Sequence, residues 1–299
     1  MFITTGTLTG DIKKPETSIG AYLRTTFPNT KHLQDWIKEN TGPLLVEGEQ
    51  RTSSLVGTAT DIIVALLLAP GEAPASSRLL FPFNTGYHEV VGELARLVTE
   101  DRDIEVQARA AYALAETVAA YRAGAWGAEM KGRILEGDFT VEAALEDAPR
   151  NAVVELIQLR QLAIGRLLPR LNPPYVHGAT FDLTHVGPEQ RLAAEADLIA
   201  GGLLIDVKTT MGAKLKNGTR PNTVRPDALH QLVAYALLDH SDAYSIDHVG
   251  IYSARYGHTH VFILQELLDT LAGVDDFDID AAKETLYGLM QREHEFIAR

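Results

Sequence analysis

The chain has 299 residues, 27 Lys and Arg against 40 Asp and Glu, a net charge of −13 and no cysteine. That length suits one large core or two modest ones. The lack of cysteine excludes disulfides, thiolate zinc sites, cysteine-ligated iron–sulfur clusters and a cysteine nucleophile.

The opening stretch MFITTGTLTGDIKKPE holds no apolar run, so no secretory leader is expected. The longest apolar run, Ile62 to Ala69, is far short of the ~20 residues that span a bilayer. A soluble, cytoplasmic protein with no membrane contact is the expectation. Two short helical patterns occupy residues 17–40, parted by Phe27-Pro28-Asn29, and VGTATDIIVALLL predicts a buried helix opening at Gly57. After the Pro/Gly/Ser-rich residues 70–77, helical spacing dominates from Gly86 to Arg170, with Val90, Val91, Leu94, Leu97 and Val98 forming one stripe. Beyond Pro173-Pro174 the texture turns to strands: PYVHGATFDL, RLAAEADLIA and GLLIDVKTT. A helix over Pro226–Leu238 follows, then strands HVGIYSARY and HTHVFIL, then a helix near Ala281 to Ala298.

This order predicts an α/β (α+β) chain with a small mixed β-sheet flanked by helices and a large helical insertion. It divides into residues 1–69 (N-terminal helices and a first core helix), 70–170 (the insertion) and 171–299 (the sheet and the C-terminal helix).

The chemistry concentrates in Glu195-Ala196-Asp197-Leu198-Ile199-Ala200-Gly201-Gly202-Leu203-Leu204-Ile205-Asp206-Val207-Lys208. Gly-Gly between two alternating runs signals a two-residue hairpin turn. With that turn, Asp197 opposes Asp206 and Glu195 opposes Lys208. Ala196, Leu198, Ala200, Leu203, Ile205 and Val207 take the other, core face. Opposed side chains in a hairpin lie about 4.5–5.5 Å apart, where like charges destabilise. A divalent cation between the aspartates resolves that conflict, since Mg²⁺ takes carboxylate, water and phosphate oxygens. Lys208 points to the same side, suited to holding a water or stabilising charge on a phosphate. This set fits metal-assisted phosphodiester hydrolysis.

Asp197 with Asp206-Val207-Lys208 resembles the D…(D/E)xK signature of the PD-(D/E)XK nuclease superfamily, with Ala196 where the nominal proline stands. Gln231 and Tyr235 resemble the QxxxY motif of its RecB-like branch, and their spacing places them on one helical face, away from the core stripe of Leu229, Leu232, Val233, Ala236 and Leu237. The resemblance implies a restriction-endonuclease-like core and Mg²⁺ or Mn²⁺ held by Asp197, Asp206, the Val207 carbonyl and Glu195. In the branch's GxxxH helix Gly57 fits, and Asp61 stands at the His position as a further candidate metal oxygen. A rival placement through Gly86, His88, Glu89 and Glu93 has the wrong His spacing, and Glu89 and Glu93 read as solvated.

Between Val207 and Gln231, Lys208, Lys214, Lys216, Arg220 and Arg225 face Asp227 alone. The loop 209–224, with Gly212, Gly218 and Pro221, reads as long and mobile, its cations Lys214, Lys216, Arg220 and Arg225 as phosphate contacts, and His230 as facing the same groove. His177, His185, His258 and His260 match no zinc-ligand spacing, and the HTH pair reads as part of a solvated strand.

The expectation is therefore a metal-dependent DNA nuclease, exo- or endonucleolytic, acting in recombination, repair or antiviral defence. Helicase or defence-system partners and an oligomer fit that expectation. The alternatives are a vestigial nuclease fold that binds or scaffolds, and an RNA nuclease.

Overall fold

The computed structural model describes residues 6–49, 51–184 and 192–297. Three helices come first, α1 (Leu8–Lys13), α2 (Ser18–Thr26) and α3 (Thr30–Asn40). The Thr7 and Thr17 hydroxyls cap α1 and α2 by accepting the Gly10 and Gly20 N–H groups, which would otherwise lack partners. Next is α4 (Ser53–Leu68), which opens one turn before Gly57 because no residue between Ser53 and Gly57 breaks the helical pattern. The expected helical stretch is α5 (Ala75–Leu79), α6 (Thr85–Glu100), α7 (Ile104–Arg122), α8 (Ala128–Glu136), α9 (Val141–Asp147) and α10 (Arg150–Leu162). Asn84, Asp103 and Thr140 cap α6, α7 and α9, and Gly137 ends α8 in the left-handed conformation.

Then come β1 (Tyr175–Ala179), β2 (Ala196–Ala200), β3 (Leu203–Lys208), α11 (Pro226–Leu238), β4 (His248–Ser253), β5 (His258–Ile263), α12 (Leu264–Ala272) and α13 (Ile279–Ile297). The sequence reading omitted α1 and α12, although Leu264, Leu267, Leu268 and Leu271 carry the helical spacing of α12 and are its buried side. The expected end of the last helix, Ala298, lies outside the described residues, as does His185.

The strands form one mixed five-stranded sheet in the order β1-β2-β3-β4-β5. β1, β2 and β3 form an antiparallel meander, α11 carries the chain to β4 parallel to β3, and β5 returns antiparallel. The β2–β3 register pairs Leu198 with Ile205, Ile199 with Leu204 and Ala200 with Leu203, as the sequence predicts. Gly201 and Gly202 both have positive φ, 57° and 84°, as a primed two-residue turn requires.

Both faces of the sheet are covered. Leu198, Ala200, Ile205 and Tyr252 pack into a core with α4, α6, α7 and α10, so residues 70–170 share a continuous core with the sheet. Ile199, Leu204, Val249 and Ile251 pack into a second core with α2, α3, α11, α12 and α13. The carboxylate-bearing face of the hairpin is thus no open surface. Ile199 and Leu204 lie on it beside the aspartates, and their apolar area draws α11 down as cover. Among the described residues no helix is long and apolar enough to cross a membrane.

Candidate active site

The hairpin register, continued one step past Leu198 and Ile205, sets Asp197 against Asp206. Their carboxylates find different partners. Asp197 Oδ2 accepts the Val207 N–H at 2.8 Å. Lys208 Nζ donates to Asp206 Oδ1 at 2.8 Å and lies 2.7 Å from Oδ2 as an ion pair. Asp206 is 2% exposed, and its Oδ2, within ion-pair distance, still receives no hydrogen bond. Burial, then the nearby Asp61 and Asp206 charges, push the Asp197 carboxyl well above the usual carboxylate range. Burial disfavours the charge on Lys208, but Asp206 and Asp197 outweigh it and hold the ammonium above the ordinary lysine range.

The helix after the hairpin joins the same network. Lys208 Nζ donates to Gln231 Oε1 at 3.4 Å. Gln231 Nε2 donates to Tyr235 Oη at 3.1 Å and to Thr9 Oγ1 of α1 at 3.4 Å. Tyr235 is 4% exposed and stacks on Phe181, which corrects the expectation of a helix face turned away from the core. α11 is apolar nearly all round, so its polar side chains are buried with it and must pair with one another. Burial raises the Tyr235 hydroxyl above its ordinary value, so it stays protonated as a donor and acceptor.

On the other side of Asp197 a small cavity of about 30 Å³ gathers Asp61 from α4, His177 from β1, Glu195 and Arg122 from the end of α7. His177 Nε2 lies 3.3 Å from Asp61 Oδ1. Burial works against charge on His177, but Asp61, Asp197 and Glu195 prevail and raise its pKa. Burial also raises the Glu195 carboxyl, against the pull of Arg122. Gly178 makes room for it: a Cβ there would lie 2.4 Å from Glu195 Oε1, and φ is +62°. The sequence reading weighed His177 only for zinc and passed over Arg122 and Thr9. β1 is too short a strand to reveal what His177 faces, and α4 and α7 reach the cavity only through folding.

The donor set is all oxygen apart from His177, which suits a hard divalent cation. The Val207 carbonyl opens towards Asp197, since the N–H and C=O of one strand residue point to the same neighbour. With the unbonded Asp206 Oδ2, these groups fit such an ion chemically. The Asp61, Asp197 and Asp206 side chains nevertheless engage protein partners, and no three acidic or histidine side chains among the described residues converge as a ligand set.

The basic loop is held at both ends rather than free along its length. Gly212 N–H donates to the Tyr256 hydroxyl at 3.2 Å, and buried Asn222 bridges Thr41 and Ser253. Arg220 donates to the Gly212 carbonyl at 3.1 Å and lies 3.5 Å from Glu47, and Arg225 pairs with Asp227 at 3.0 Å. Lys214 and Lys216, near the turn at Gly218, are exposed and have no hydrogen bond or ion pair among the described residues. His230 does not face a groove. It is buried, with Nε2 3.0 Å from the Phe27 carbonyl, because α11 packs against α2 there. Nor is the HTH strand solvated at His260, whose Nε2 lies 2.8 Å from Thr41 Oγ1 under the Trp36 ring. Glu89 is exposed and Glu93 pairs with Arg96, both on the solvent side of α6. In comparison with known proteins, no protein-family model, no curated protein and no solved structure matches the chain.

Proposed function

We propose that this chain is a divalent-metal-dependent nuclease that hydrolyses DNA phosphodiester bonds on a restriction-endonuclease-like core of the RecB-like kind. The observation that carries the reading is the bridge from Lys208 to both Asp206 and Gln231, which unites the D…DxK and QxxxY residues in one network. Two motifs that are each weak in a sequence gain weight when their side chains meet.

Asp197, Asp206, Glu195, Asp61 and the Val207 carbonyl are the oxygens that would hold Mg²⁺ or Mn²⁺. When bound, the ion supplies charge neutralisation at the phosphate and activation of a water. Lys208 keeps its proton and offers N–H donors to charge developing on a phosphate oxygen or to the attacking water. Gln231 fixes the ammonium against Asp206, and Tyr235, clamped under Phe181, fixes Gln231. Lys214 and Lys216 suit contact with the phosphate backbone, while Arg220 and Arg225 serve first to shape the loop.

A second reading, a binding protein on the same fold, is favoured by the Asp61 side chain turned to His177, with no convergent ligand set among the described residues. The test is cleavage of labelled single-stranded, linear duplex and closed circular DNA, and of RNA, with Mg²⁺, Mn²⁺ or EDTA. Metal-dependent cutting that disappears in folded Lys208→Ala and Asp206→Ala supports the nuclease, and the preferred substrate separates DNA from RNA and exo- from endonuclease. Nucleic-acid binding with no cutting of any substrate would favour the second reading.

A further inference from the structure

We infer that Arg122, at the C-terminal end of α7, is a phosphate-binding residue. In this arrangement the helical stretch 70–170 is the second wall of the nucleic-acid cleft. The inference rests on the nuclease reading above and deepens it.

Three carboxylates, Asp61, Glu195 and Asp197, line this cavity, and a polyanion entering it needs cations beside them. Lys208 is bound to Asp206 and Gln231. His177 is bound to Asp61. Arg122 lines the same cavity, is exposed, and makes no hydrogen bond or ion pair among the described residues. Glu195 feels its charge, yet the two do not close to ion-pair distance, so all five guanidinium N–H donors stay available. Of the other arginines of this helical body, Arg78, Arg96, Arg109 and Arg133 are held by protein partners, while Arg102, Arg150, Arg160, Arg166 and Arg170, which also lack a hydrogen bond or ion pair among the described residues, do not line this cavity. Arg96 bonds Glu93 and Glu100, Arg109 bonds Glu105 and two carbonyls, and Arg133 bonds Asp147. A free, planar, permanently charged fork facing an acidic cavity is suited to a bidentate phosphate contact. That contact would place a backbone phosphate between Arg122 and the hairpin carboxylates.

The test is binding of a fluorescein-labelled single-stranded oligonucleotide, followed by anisotropy in Ca²⁺ over a salt series. It compares the full chain with Arg122→Ala, Arg122→Lys and Lys208→Ala, and cleavage is measured in parallel. Arg122→Ala is expected to weaken binding about tenfold and to flatten the salt dependence by about 0.7, the loss of one single-strand phosphate contact. Arg122→Lys should keep the slope and recover part of the affinity. A purely structural role would leave the slope unchanged, and an exposed side chain should leave thermal unfolding unchanged as well. Wild-type affinity and slope in Arg122→Ala, with cutting abolished in Lys208→Ala, would overturn this inference and leave the nuclease standing. A wild-type protein that neither binds nor cuts would overturn both.

Discussion

Asp197 and Asp206 face each other across the β2–β3 hairpin, and their carboxylates turn apart, one to the Val207 N–H and the other to the Lys208 ammonium. The first of these partners is a neutral dipole, so burial, then the neighbouring Asp61 and Asp206 charges, stay poorly offset at Asp197 and its carboxyl is held well above the usual carboxylate range. Residues held this way lower stability.

The consequence is measurable in Asp197→Asn. The amide oxygen can keep the Val207 hydrogen bond while the charge is removed. The variant is expected to be more stable than the parent at neutral pH, since a carboxyl that the fold holds above its ordinary range costs stability wherever the unfolded chain is ionised. Urea midpoints of the two proteins check it. A variant less stable than the parent would mean that the Asp197 carboxylate is well accommodated.

Glu116, on α7, provides a pH prediction remote from the site. Burial first, then the charge of Asp147, push its carboxyl up to about 7 against the partial relief given by Arg133. The folded chain therefore holds this proton more tightly than the unfolded one. The stability this group contributes is complete below its ordinary value near 4.5 and is lost as pH rises from there through about 7. Glu116→Gln should match the parent at pH 4 and exceed its stability at pH 8, with a flatter profile between, as read by urea unfolding at a series of pH values.

Arg255 joins three parts of the chain. It is fully buried, ion-paired to Glu155 of α10, and donates to the Thr209 carbonyl just after Lys208 and to the Val46 carbonyl. Arg255→Met would leave the Glu155 carboxylate buried without its partner, a loss of about 3–5 kcal/mol. Adding Glu155→Leu to that variant should restore most of the loss, because the stranded charge is then gone. Denaturant unfolding of both single variants and the double variant closes the cycle, and a double variant as unstable as Arg255→Met would show that the carbonyl contacts matter more than the charge.

Much of the site was legible before folding was considered. The Gly201-Gly202 turn set the register, since two adjacent glycines with positive φ permit one tight connection and each strand then alternates with period two. The spacing of Gln231 and Tyr235 placed them on one side of a helix that begins at Pro226, as read. What failed was the reading of solvent. His260, His230 and Tyr235 read as facing away from the core because their own elements offer them a polar side. They are covered because α3, α2 and Phe181 pack across them, and that cover comes from residues far away in the chain.

By itself the sequence determined the hairpin, its opposed aspartates, the lysine two residues on, and the helix that follows. These depend on turn chemistry and periodicity, which act over a few residues. Only the tertiary structure decided that Gln231 would meet Lys208, that Asp61 would meet His177, and that Arg122 and Glu195 would line one cavity. Those meetings join residues from about twenty to more than one hundred positions apart, and they follow from how two hydrophobic cores close over the two faces of one sheet.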